Sequence, residues 1–73
     1  MICKSEKVVF IAKETRAGQK GDYFLYTFRS PKGRLLTLYS KFNLDIQDLS
    51  ECKLVFEVST YNNQFQLRLN SVE

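Results

Sequence analysis

The chain has 73 residues, with four Tyr, six Phe, eleven Lys/Arg and eight Asp/Glu, and no His or Trp. The chemistry such residues support best is non-covalent. Flat rings stack on other flat rings, and Lys or Arg pairs with phosphate, which suits a polyanion with exposed bases. Arg16, Lys20, Arg29, Lys32, Arg34 and Lys41 surround the stretch Tyr23-Phe24-Leu25-Tyr26-Thr27-Phe28, and Tyr39 follows on the next strand. The net charge of +3 hides an asymmetry: residues 1–41 hold nine Lys/Arg against three acids, and residues 42–73 two against five. A basic half and an acidic half point to a polyanionic partner.

The same inventory argues against catalysis. Without His the usual general base near neutral pH is missing. Asp45, Asp48 and Glu51 sit in a polar connector. No Gly-rich phosphate loop, G-x-S-x-G or H-E-x-x-H is present. Cys3 and Cys52 are too few for a multi-bridge framework and do not make the paired ligands zinc wants. Two free thiols in a reducing cytoplasm is the favoured reading, with one bridge between them as the alternative. The expectation is a non-enzymatic, cytoplasmic binding module with no cofactor and no metal.

Length and composition set the frame for these residues. A chain of this size makes one domain and buries only about 60% of its unfolded surface. Its 44% apolar and 26% charged residues are those of a folded protein. The longest apolar run, Val8-Val9-Phe10-Ile11-Ala12, is far short of a bilayer span, and the first residues lack the apolar core of a signal peptide.

Five strands are expected to position the site. The first covers about Lys7 to Thr15, apolar on both faces, as suits a strand shared between two sheets. Ala17 to Asp22 is a glycine-bearing loop. Tyr23 to Arg29 is the second strand. Ser30-Pro31-Lys32-Gly33 is the strongest turn signal, since Pro presets φ and Gly closes the turn. Arg34 to Ser40 is the third strand. Phe42 to Leu49 breaks the period, and Asn43 as a cap with Asp45 in the first turn predicts a helix of one to two turns. Cys52 to Thr60 and a strand from Gln64 follow, joined by a hairpin turn at Tyr61-Asn62-Asn63. Five strands with a helix between the third and fourth is the order of the OB-fold, an all-β Greek-key barrel. An SH3-like barrel and a split sheet with one helix are the rivals.

Period two assigns the faces. Phe24, Tyr26 and Phe28 point into the core in the favoured register, leaving Tyr23, Leu25, Thr27 and Arg29 outward; the opposite register keeps Leu25 inside and exposes a Phe-Tyr-Phe strip, a large apolar patch. Leu36 and Leu38 point in; Leu35, Thr37 and Tyr39 point out. Phe65, Leu67 and Leu69 form one face of the last strand, and Gln64, Gln66, Arg68 and Asn70 a plain solvent face. Tyr23 and Tyr39 are then the candidate stacking rings. Tyr26 joins them if a bulge carries it to the rim, and Tyr61 either stacks or covers the barrel end. Lys20, Arg29, Lys32, Arg34 and Lys41 are the candidate phosphate contacts. Each alone is by default a solvated charge; their clustering carries the assignment.

Gly21-Asp22-Tyr23-Phe24-Leu25, the basic second hairpin and the ending Lys53-Leu54-Val55-Phe56-Glu57-Val58-Ser59 with Gln64-Phe65-Gln66-Leu67-Arg68-Leu69 resemble the small helix-destabilising, single-stranded DNA-binding proteins of filamentous phages and mobile elements. The resemblance covers roughly residues 18–72. It implies a one-domain OB-fold, a role in DNA replication, and a stacking tyrosine at Tyr23. In that family a long second hairpin makes dimer and neighbour contacts, whereas here the hairpin at Ser30-Pro31-Lys32-Gly33 is short. Leu36-Thr37-Leu38-Tyr39-Ser40 is also similar to the third strand of larger bacterial single-stranded DNA-binding proteins. The expected partner is single-stranded DNA, with RNA or a docked protein as the alternatives. Self-association or cooperative packing along the strand is a further expectation, and no membrane partner is expected.

Overall fold

The computed structural model describes the backbone of residues 1–73 and every side chain except that of Tyr61. Five strands form: β1 Ile2–Gly18, β2 Gly21–Arg29, β3 Leu35–Ser40, β4 Glu51–Tyr61 and β5 Gln64–Val72. They close a barrel in the order β1-β2-β3-β5-β4. Every pairing is antiparallel except that of β3 with β5.

β1 is longer than its period suggested because it serves two neighbours. Ile2 to Val9 pair with β4, and Val9 to Gly18 pair with β2. The register shifts between Lys4 and Lys7 and again between Phe10 and Ala12. Such bulges bend a strand and raise its twist, which lets one strand turn a barrel corner. At the first shift the Ser5 hydroxyl accepts the Leu54 amide at 2.9 Å.

The three hairpins follow local backbone preference. Gly33 donates its amide to the Ser30 carbonyl at 2.9 Å and adopts a φ of 83°, which closes the Pro31-Lys32 turn. Asn62 and Asn63 have φ of 51° and 63°, the positive pair of a type I′ turn, so β4 and β5 are joined by a two-residue hairpin. The expected loop at residues 17–22 shrinks to Gln19-Lys20, since Gly18 already pairs with Gly21.

The helix predicted over Phe42–Leu49 does not form; no helix is present among the described residues. An extended strap crosses the barrel instead. Apart from one turn, in which the Ser50 amide donates to the Gln47 carbonyl at 3.2 Å, its backbone finds partners on the barrel. The Tyr26 hydroxyl donates to the Phe42 carbonyl at 2.6 Å and accepts the Leu44 amide at 2.8 Å. The Leu49 amide donates to the Phe10 carbonyl at 3.0 Å. Leu44 and Ile46 both pack on the core. Two-residue spacing puts them on one side of an extended chain but on different sides of a helix.

The core is Val8, Phe10, Tyr26, Phe28, Leu38, Cys52, Leu54 and Leu69. The Phe10 ring is its centre, 5.6 Å from Phe28 and 6.3 Å from Tyr26, in tilted arrangements. Phe24 packs against it from the edge. The inward face read for β2 therefore holds. Leu36, expected inside, is 40% exposed, and on the apolar face of β5 Leu67 is 41% and Phe65 80% exposed while Leu69 is buried. β3 and β5 pair only at Tyr39 opposite Arg68. Leu38, Ser40 and Leu69, next to that point, are buried, and the open residues lie where the two strands no longer pair.

Candidate nucleic-acid interface

The β1–β2 turn, the end of β3 and the middle of β5 enclose a groove of about 710 Å³. Its walls include Lys20, Tyr23, Tyr39, Lys41, Asp22 and Gln66. That volume lies in the range of natural ligand clefts. Four of the predicted site residues thus meet, although 21 positions separate Lys20 from Lys41 in the chain.

Each arrives for a local reason. Tyr23 lies on the outward face of β2, opposite Arg16 of β1. Its ring covers Gly18: a Cβ built there would sit 3.2 Å from the Tyr23 Cδ1 and 2.9 Å from the Gly21 carbonyl oxygen. Gly18 is thus the residue that lets the ring lie over the turn. Gly21, at a φ of 120°, allows the close reversal that brings Lys20 to the rim. Tyr39 is outward on β3, between Leu25 of β2 and Arg68 of β5. Its hydroxyl hydrogen-bonds the Gln66 side chain at 3.3 Å, which orients the ring. Both rings are half-buried, held by packing with part of each open to solvent.

The electrostatics are mixed. Lys20 and Lys41 are exposed, and Asp22 offsets part of their charge. Beside the groove, Arg68 is paired to Glu57. That hydrogen bond, and the guanidinium charge behind it, hold the Glu57 carboxyl below its ordinary range. The Arg16 guanidinium is likewise tied to Glu14 at 3.1 Å, which raises its pKa. Arg16 and Arg68 therefore serve neighbouring carboxylates, leaving Lys20 and Lys41 as the groove's own cations.

The remaining predicted residues lie elsewhere. Tyr26 is fully buried, and its hydroxyl is committed to the strap, so it presents no ring face; its assignment as a stacking residue is corrected. The bulge that could have lifted it falls on β1, not on β2. Arg29, Lys32 and Arg34 cluster at the opposite end of the β2–β3 hairpin. Six positions along β2 separate Tyr23 from Arg29, about 20 Å at strand rise. Arg29 lines a different cleft with Lys7, Pro31 and Glu51. The expectation that Arg29 flanks Tyr23 is corrected: one face, opposite ends. The assignment of Tyr61 as a stacking ring lies outside the described residues.

Sequence reasoning missed Gln66, which it placed on plain solvent surface. Its parity on β5 was legible. The β3–β5 contact that puts it beside Tyr39 was not. Among the described residues no group of three or more His, Cys, Asp or Glu could hold a metal ion. Cys3 and Cys52 are free, and burial pushes the Cys52 thiol up. Among the described residues no helix is long and apolar enough to cross a membrane. A scan against protein-family models finds no match, and searches of curated proteins and of solved structures find none either.

Proposed function

We propose that the protein is a non-enzymatic, largely sequence-independent single-stranded DNA-binding protein built on an OB-type barrel. The strand order β1-β2-β3-β5-β4 is the Greek-key order expected of that fold, and the β2–β3 face with its loops is where such barrels bind oligonucleotides. The observation that carries the reading is the convergence of Lys20, Tyr23, Tyr39 and Lys41 on one groove. The rings accept bases and the lysines accept phosphates, and neither reads base identity. Arg29, Lys32 and Arg34 add positive charge at the far end of the same hairpin, where a longer strand would reach them. Such a protein serves where single strands accumulate in the cytoplasm, as in the DNA replication of a phage or mobile element. The resemblance around Gly21-Asp22-Tyr23 supports the same reading.

A tyrosine-fluorescence titration with poly-dT, at low and at physiological salt, tests it. Binding should quench emission as rings stack, and duplex DNA should bind more weakly. The log–log salt slope should be about −0.7 per neutralised phosphate. No quenching, or affinity indifferent to salt, overturns the reading. Preference for rU over dT of equal length would move the function to RNA, since that choice requires the 2′-OH.

A further inference from the structure

The β4–β5 hairpin extends past the end of β1: the last β1–β4 pair is Ile2 with Glu57, whereas β4–β5 pairing continues to Tyr61 opposite Gln64. On its other side β5 meets β3 only at Arg68. Gln64 to Leu67 therefore form an edge with no strand beside it among the described residues. The face above this edge is apolar. Phe65 is 80% exposed and Leu67 41%, with Val58 opposite Leu67 and the 78% exposed Met1 bonded to Val58 through the backbone.

Edges of this kind are normally blunted by Lys, Pro or a bulge. Here none is present. Residues 58–67 contain no charged residue and no proline, in a chain that is 26% charged. The nearest register shift, between Val55 and Phe56, lies below the arm. An uncharged arm is a poor seat for a polyanion. The comparable open edge of β3 follows Arg29, Lys32 and Arg34, which would repel their own copies across a two-fold axis. Charge thus selects β5 as the self-complementary edge.

We propose that the protein dimerises by antiparallel pairing of β5 with β5 of a second copy. Parity restricts the register. With Gln66 opposite its own mate, Phe65 of each copy faces Leu67 of the other, and all four apolar side chains share one face. A slip of one residue would set Phe65 against Gln66, mixing apolar and polar groups. In this register the joined hairpins make a four-stranded sheet, and the faces carrying Gln66, and with them the two grooves, lie on the same side. A two-fold interface of this kind is the commonest closed assembly.

The test uses the full chain without nucleic acid. Sedimentation velocity across a concentration series should show a species of twice the chain mass. Amide hydrogen exchange at residues 64–67 should slow as concentration rises. Phe65→Lys should weaken self-association at least about tenfold, as expected for a charge replacing an aromatic anchor. Near-UV circular dichroism should show its barrel intact, since Phe65 is exposed in the monomer. A monomer at every concentration overturns the proposal. So does a dimer in which residues 64–67 exchange at a constant rate, because another surface then pairs. Protection of these amides only on adding oligo-dT also overturns it, and would assign the arm to the strand.

Discussion

Two tyrosines three positions apart on β2 have opposite fates, and the difference is one of parity. Tyr23 is outward and half-buried; Tyr26 is inward and fully buried. Tyr23→Ala should therefore weaken oligo-dT binding by about 1–3 kcal/mol, the value of one stacked base, with little loss of stability. Equilibrium titration beside urea unfolding checks this; global unfolding of the variant would place Tyr23 in the core. Tyr26→Phe should do the reverse. It removes the only polar atom of that side chain, the partner of both the Phe42 carbonyl and the Leu44 amide. Leaving such groups unpaired costs about 1–3 kcal/mol. The urea midpoint should fall and amides of the strap should exchange faster, while affinity for DNA changes little. An unchanged midpoint would mean that water replaces the hydroxyl at no cost.

At the scale of elements, Gly18 of the β1–β2 hairpin and Gly33 of the β2–β3 hairpin serve different purposes. Gly33 supplies a positive φ with open space around it, so Gly33→Ala carries conformational strain alone. Gly18 supplies room, because a Cβ there meets the Gly21 carbonyl and the Tyr23 ring. Gly18→Ala should strain the turn against the Gly21 carbonyl, displace that ring and lower both stability and affinity for oligo-dT, whereas Gly33→Ala should lower stability and spare affinity. A double-mutant cycle with Tyr23→Ala separates the cases: the affinity losses of Gly18→Ala and Tyr23→Ala should fall well short of additive. Full additivity would show that Gly18 acts on something other than the ring. The strap makes the same point about competition. Asn43 and Asp45 favour a helix start locally, yet a hydroxyl 16 residues away takes the backbone groups and an extended strap results.

For the molecule as a whole, closure runs through one β3–β5 ladder pair, Tyr39 with Arg68, and the Arg68–Glu57 pair stands beside it. Because Arg68 lowers the Glu57 pKa in the fold, the pair contributes stability that is complete above the ordinary carboxylate value of about 4.3 and is lost as pH falls through the lower folded value. Glu57→Gln should flatten the acid limb of melting temperature against pH. Parallel acid limbs in wild type and variant would show that other carboxylates carry it. The two-residue alternation of β2 separated its two faces, and burial of Tyr26 and Phe28 in the structure decided which of them points inward. The Ser30-Pro31-Lys32-Gly33 and Asn62-Asn63 turns were equally legible, because φ preference and side-chain period are properties of neighbouring residues. Barrel shear is not such a property. Only the tertiary structure decided that β1 runs to Gly18 and that Lys20 and Lys41 share a groove while Arg29, Lys32 and Arg34 stand some 20 Å away. It also left Phe65 and Leu67 uncovered, because each of these outcomes depends on which distant strands pair and where their pairing stops.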